Sequence, residues 1–534
     1  MATRTALGLG LTLAALLAAG CSWGSDADRP AATPSAAPSA SGSGAAGSTS
    51  AGASPAPEPL WTDVTADAIG TTTDWTNKVE LDDLDRDGDV DLLFANGGDY
   101  ESPGKPVRSQ VFLNRGDGTF EEATDRVLGD VRAIARVLKV ADVDGDRDRD
   151  VLMGTTYQTR SRLFLAEGDD SWREVSRTRL PRAPRSIGDL ETGDVDRDGD
   201  LDVVLADWGP GSPMTNRGAR TRLWLNDGSG RFSDATAGRM PGTRVKFSWD
   251  LELVDVDNDW DLDVAVSCKT CPTSLLYEND GDGRFRDVTG RRMPAFTNNY
   301  DFAPIDLDAD GYLDLVTIND GPMSSYGLPE HVFRNVEGTF EDVTEDWWPP
   351  AQNDGWDDNI SVALDVESDG DADFLVGSLD GTDRLVVNDG SGHLVVAPDV
   401  FDAVPSQGTL GMAVADLDGD GRPDVVESQG EAPGFEDERV YLATDALAPD
   451  TAAPVVIARR RGREVVARVH DNRTPNAPHD WQAVTVAWSG GHRTMTWYGE
   501  NLFTARTPAS ATDVEVCATD AAGNQTCAAA ERFM

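Results

Sequence analysis

Short clusters of aspartate with the pattern D-x-D-x-D-x-x-x-D begin at seven places in the chain. They set Asp83, Asp85, Asp87, Asp89 and Asp91 in the first copy and Asp142, Asp144, Asp146, Asp148 and Asp150 in the second. The third holds Asp194, Asp196, Asp198, Asp200 and Asp202, and the fourth Asp255, Asp257, Asp259, Asp261 and Asp263. The fifth holds Asp306, Asp308, Asp310, Tyr312 and Asp314, and the sixth Asp365, Glu367, Asp369, Asp371 and Asp373. The seventh holds Asp416, Asp418, Asp420, Arg422 and Asp424.

Positions 1, 3, 5 and 9 are acidic in every copy, and position 7 tolerates Tyr312 and Arg422. That pattern suits a hard cation with six to eight oxygen ligands: side chains at positions 1, 3 and 5, a backbone carbonyl at 7 and a closing acid. Glycine at position 6 makes the sharp turn in five copies; Arg147 and Trp260 depart from it, so loops two and four are expected to be strained or weaker. Without a cation, four carboxylates within nine residues repel one another. The expected cofactor is Ca²⁺, up to seven ions, rather than Mg²⁺, which keeps more water and demands stricter geometry. The chain carries 94 acidic against 46 basic residues, a formal charge of −48. So acidic a chain excludes nucleic acid as a partner, because phosphate binding needs a basic footprint.

The motif starts are spaced 59, 52, 61, 51, 59 and 51 residues apart. An apolar run precedes each motif, and β-rich runs such as DLLFAN and DVVLAD follow it. A third run (VFLN, RLWLN, HVFRN) leads through a Gly/Asp turn into a fourth such as TFEEAT or RFRDVT. Glycine supplies the positive φ of such hairpins. Four antiparallel strands in about 55 residues make a propeller blade. The seventh unit lacks its fourth run, and Leu60-Trp61-Thr62-Asp63-Val64-Thr65 supplies one ahead of the first motif. The N-terminal strand is therefore expected to complete the last blade and leave no open edge. The fold class is all-β: a seven-bladed β-propeller over 59–447, followed by a small sandwich.

The motif and its flanking strands resemble the FG-GAP/VCBS repeat, the Ca²⁺-binding blade also found in integrin α heads. The resemblance implies Ca²⁺ loops between the first two strands on one face and ligands met by loops of the opposite face. It implies no single activity, since the family includes adhesion heads, lectin-like binders and some polysaccharide lyases.

Arg4, an apolar stretch from Ala6 to Ala19, and Leu17-Ala18-Ala19-Gly20-Cys21 resemble a bacterial lipoprotein signal over 1–20, with Cys21 the lipidated residue. Ala18 stands where a larger aliphatic residue is more usual. The Ala/Ser/Gly/Pro-rich segment 21–58 has no large apolar core and reads as a flexible tether. The expected location is the cell surface, with membrane contact only through the anchor, as a monomer.

Past Pro449 no motif recurs, and 452–534 reads as short strands. Its ending, ATDAAGNQTCA, resembles the last hairpin of Ig-like or fibronectin-like sandwiches. Cys517 and Cys527 flank a turn and are expected to bridge it, as an extracellular location permits. Cys268 and Cys271 form C-K-T-C; without a βαβ context they read as a structural disulfide rather than a redox pair.

The loops after the second runs are long in odd blades and carry Tyr100, Trp208, Met214, Tyr326 and Phe435. Trp75, Trp249, Tyr300 and Trp356 precede inner strands. Together they suit a glycan or protein ligand at the mouth of the propeller, unless these rings pack between blades. Two function classes follow: a surface binding or adhesion module, or a lyase-type polysaccharide-degrading enzyme. The enzyme class rests on His331 with Lys105, Arg108, Arg217 and Arg220. No nucleophile elbow, phosphate loop or HExxH is present, and no catalytic residue is assigned.

Overall fold

A computed structural model describes residues 58–98, 102–168, 171–213, 215–319, 329–353, 355–379, 381–397, 400–402, 408–430, 437–471 and 480–533. The signal and tether readings, Cys21 included, lie outside these residues, as do Tyr100, Met214, Tyr326 and Phe435.

Six antiparallel sheets of four strands follow one another, led by first strands Thr76–Asp82, Ala135–Ala141, Ile187–Gly193, Leu251–Val254, Asn299–Ile305 and Asp358–Leu364. A seventh joins Thr409–Ala415, Asp424–Gln429 and Arg439–Ala443 to Trp61–Asp63 from the other end of the chain. There Trp61 pairs with Ala443 and Asp63 with Tyr441. Trp61 is fully buried, donates its indole N–H to the Pro423 carbonyl at 2.7 Å, and stacks on Phe401. Each first strand packs on the first strand of the next sheet, and that of the last sheet packs on that of the first. The result is a closed ring around an axial cavity, the β-propeller architecture.

The D-V-T ending of the fourth runs has a physical reason. Its acid accepts the amide two residues on, as Asp234 does from Thr236 at 3.1 Å and Asp287 from Thr289 at 3.2 Å. The threonine hydroxyl then accepts the amide of the second residue of the third strand: Thr124 from Val111 at 3.0 Å, Thr289 from Leu276 at 2.9 Å. Thr65 does the same for Val440 at 2.9 Å, so the N-terminal segment takes over the full role of a fourth strand in the seventh sheet.

The asparagine that ends most third strands holds neighbouring sheets together. Asn335 Nδ2 donates to the Val256 carbonyl of the preceding sheet at 2.8 Å and to Leu313 of its own at 3.0 Å. Asn279 bridges Val195 and Leu262 in the same way, and Asn114 reaches Leu417 across the closure of the ring. Asn335→Ala would orphan two buried carbonyls, so we expect a loss of about 1–3 kcal/mol. Chemical denaturation checks this; an unchanged midpoint would show that water substitutes for the amide.

The C-terminal region forms two facing sheets. One contains Val455–Arg461, Glu464–His470, Thr496–Gly499, Leu502–Arg506 and Glu531–Arg532; the other Trp481–Trp488, Gly491–Thr494, Glu515–Asp520 and Gln525–Ala529. Their inner faces share one core that includes Val465, Val469, Val486, Phe503 and Val516. Both expected disulfides are present, Cys268–Cys271 and Cys517–Cys527, the latter joining residues directly opposed across a hairpin.

Candidate metal centres

Each aspartate motif forms the loop between the first and second strands of its sheet. Position 4 is left-handed in all seven: Arg86 (φ 65°), Gly145 (79°), Arg197 (59°), Asn258 (59°), Ala309 (55°), Ser368 (57°) and Gly419 (76°). Position 6 is left-handed as well, from Gly88 (102°) to Gly421 (83°), with Arg147 at 79° and Trp260 at 74°. Loops two and four thus place a side chain where glycine is favoured, and backbone strain follows.

Two hydrogen bonds recur. The position 1 carboxylate accepts the amide of position 6, Asp194 from Gly199 at 3.0 Å and Asp416 from Gly421 at 2.9 Å. The position 5 carboxylate accepts the amide of position 7, Asp310 from Tyr312 at 3.0 Å and Asp420 from Arg422 at 2.9 Å. These bonds turn the remaining oxygens inward. In loops one to five, among others, they lie within 4.8 Å of one another, as in Asp83/Asp85/Asp91, Asp194/Asp196/Asp202 and Asp306/Asp308/Asp314. Asp83, Asp144, Asp196, Asp257 and Asp308 each keep a buried Oδ1 with no hydrogen-bond partner. A set of converging, unpartnered carboxylate oxygens fits a hard divalent cation.

Position 9 does more than close the loop. Its two oxygens accept amides from the loop and from the third strand: Asp91 from Leu84 at 2.9 Å and Asn114 at 2.8 Å, Asp424 from Leu417 and Ala443, both at 2.7 Å. Burial pushes Asp91, Asp150, Asp202, Asp314 and Asp424 up to about 8, against those hydrogen bonds, and the neighbouring motif acids add to the rise. At position 7, Asp89 lies against the turn of its own hairpin, where a Cβ on Gly116 would meet Asp89 Oδ2 at 2.6 Å. Its side chain is thereby directed to the hairpin, which leaves the backbone carbonyl as the ligand this position can offer.

Loop four differs. Arg468, from the C-terminal sheets, donates to Asp255 Oδ2 at 3.0 Å, to the Asp255 carbonyl at 2.9 Å and to the Gly311 carbonyl at 3.0 Å. Arg292 pairs with Asp257 at 2.7 Å and Arg197 with Asp261 at 2.5 Å. Trp260, in the position usually held by glycine, is buried edge-on to Phe533, and its carbonyl accepts the Tyr498 hydroxyl at 3.1 Å. The departure from glycine therefore serves docking of the C-terminal sheets. Motif and arginine lie 213 residues apart in sequence, which is why sequence reasoning missed the arginine.

On the opposite face, the expected aromatic mouth needs correction. Trp208, Trp249 and Tyr300 are buried, and with Phe247 they pack edge-to-face at 5.7–6.2 Å between centroids. Arg136 lies 4.3 Å over Trp249 and Lys269 4.5 Å over Tyr300. Trp75 packs against the same cluster. These rings plug the axis instead of lining an open mouth, because burial of their large apolar surfaces outweighs exposure to solvent. Trp356, at 45% exposure, is the one open to solvent among the described candidates.

The five basic residues of the enzyme reading do not converge among the described residues. His331 stacks on Phe333 at 5.3 Å and packs edge-on to Phe296, and burial lowers its pKa. Arg108 pairs with Asp125. Arg220 lines a separate shallow pocket with Arg222 and Arg244.

No curated protein matches the sequence. Among solved structures, BBS1N in complex with ARL6DN is 11% identical, covering 72% of this chain and 98% of that one with a TM-score of 0.42. A protein from Lactobacillus plantarum is 14% identical over 64% of this chain and 87% of that one, TM-score 0.42. The V. cholerae biofilm matrix protein Bap1 is 14% identical over 88% and 75%, TM-score 0.32. An ancestral GH74 enzyme is 10% identical over 88% and 63%, TM-score 0.42. The family model of the FG-GAP-like repeat matches residues 83–153, 142–205, 268–317 and 365–427, so FG-GAP-like repeats are found in four places of this all-β, propeller-like chain.

Proposed function

We propose that the chain is a calcium-loaded, seven-bladed surface binding protein with an Ig-like C-terminal domain, held to a membrane by lipid on Cys21. Its ligand is a glycan or protein met on the face opposite the metal loops. The observation that carries this reading is the uniform loop, left-handed at positions 4 and 6 in all seven copies, with a buried and unpartnered carboxylate oxygen at position 1 or 3 in the first five. Ca²⁺ would be held by positions 1, 3, 5 and 9 and the position 7 carbonyl, neutralising carboxylates that are otherwise costly to keep ionised. Its work is mechanical: it pins the loop between first and second strands and stiffens each blade. The FG-GAP-like repeats are compatible with binding or with an enzyme. Binding is favoured because His331 is packed in a three-ring cluster with Phe296 and Phe333 rather than presented to a substrate.

The test is a glycan array and a polysaccharide-turnover assay on the Ca²⁺-loaded chain. Retention of a glycan without new unsaturated ends is the expected result. Accumulating unsaturated ends would replace the binding reading by the lyase one. Neither signal would direct the search to a protein ligand.

A further inference from the structure

The seven first strands enclose a cavity on the propeller axis, between the loop face and the aromatic plug. Its lining is unbalanced. Glu80, Asp189, Glu191, Asp250, Glu252, Asp301 and Glu500 face it, and the basic side chains among its described lining residues are Lys78 and Lys139. Glu500 comes from the C-terminal sheets: the Asp194 amide donates to the Tyr498 carbonyl at 2.8 Å, and the hairpin tip beyond it reaches the axis.

Both lysines are already shared. Lys139 pairs with Glu191 at 2.9 Å and Glu80 at 3.5 Å; Lys78 pairs with Asp189 and Asp250, both at 2.9 Å. Glu252 has no such partner among the described residues; removal from water, and after it the neighbouring Asp250, Glu500, Glu191 and Asp301, disfavour its charged form. Asp189 adds an independent sign. Its side chain is 2% exposed, its Oδ2 takes Lys78 and the Leu251 amide, and its Oδ1 is buried with no hydrogen-bond partner. The Lys78 ammonium is shared between that carboxylate and the Asp250 carboxylate, so one cation serves two acids. Asp189, Asp250 and Asp301 are buried and the four glutamates half-buried, and two lysines do not balance seven acids held this far from water.

We propose that the axial cavity holds one resident divalent cation, with ligands drawn from Asp189, Asp250, Glu252, Asp301 and Glu500. An all-oxygen ligand set selects a hard ion, Ca²⁺ or Mn²⁺, over zinc or copper. Because Glu500 belongs to the C-terminal sheets, the ion ties them to three propeller sheets at once. It is separate from the seven loops, since no motif residue contributes to it.

The test is anomalous diffraction from crystals of the folded chain grown in Mn²⁺. An axial peak flanked by Asp250 and Glu252 is the expected result. Peaks in the loops without an axial peak overturn the proposal and show that protons hold the cavity. An axial peak with bare loops sustains it and instead removes the calcium reading of the motifs; no peak anywhere removes both. Bound metal measured by plasma mass spectrometry gives a second readout: Glu252→Gln should carry one equivalent fewer than the parent chain. An unchanged count in a folded variant contradicts the assignment.

Discussion

Excess EDTA is expected to lower the melting temperature of the chain by about 10 °C or more, and added Ca²⁺ to restore it. An ion that binds only the folded state, present at a hundredfold excess over its dissociation constant, stabilises that state by about 2.7 kcal/mol. Two or three occupied loops would then suffice, since 1 kcal/mol moves the midpoint of a large domain by about 2–4 °C. The loops also lose more than the ion. Without it the unpartnered Oδ1 atoms of Asp83, Asp144, Asp196 and Asp308 stay buried among like charges, while the position 9 carboxylates that tie each loop to its third strand are pushed toward protonation. Calorimetry with and without chelator decides the matter. A midpoint that does not move would reject the metal reading of all seven motifs, whatever the axial cavity holds.

Arg468→Ala is expected to undock the C-terminal sheets from loop four. Arg468 and Asp255 side chains are 1% and 0% exposed, so the pair gains little net stability over apolar residues of the same volume. Removing one partner is different, because it strands the other charge; such losses run to about 3–5 kcal/mol. Burial already pushes Asp255 up to about 6 in spite of the guanidinium, and Asp257 and Asp261 add to the rise. The variant also gives up three donated hydrogen bonds, two to backbone carbonyls. We expect proteolysis of the connector 448–453 to become at least about tenfold faster, as a loss of 1.4 kcal/mol in docking would already produce. Arg468→Lys keeps the charge but not the fork and should fall between the two. Cleavage at the parent rate in the alanine variant would show that Trp260, Tyr498 and Phe533 hold the interface by themselves.

What could be read from the residues alone was whatever is encoded locally. An aspartate loop is nine residues long, so its acids, its glycine and its turn sit side by side in the chain. Strand runs at a steady period, the missing fourth run of the last unit and the supernumerary one at Trp61–Asp63 give the sheet pairing for the same reason, and Cys517 and Cys527 flank their own hairpin. The recurring Asn after the third strands and the D-x-E alternation of Asp189/Glu191 and Asp250/Glu252 were also in view, since alternate residues of a strand share one face. Their meaning was not, because it depends on which sheet comes next and on what lies at the axis.

Tertiary structure decided the rest. Trp208, Trp249 and Tyr300 are compatible in sequence with a ligand surface, yet closing the ring brings them together and buries them as a plug. Arg468 sits in a strand and Glu500 in a hairpin turn, neither with a motif, and only docking places one in an aspartate loop and the other on the axis. Local spacing fixes which groups can share an ion within a loop. Long-range packing fixes which groups lose water, and burial is what turns a row of carboxylates into a site.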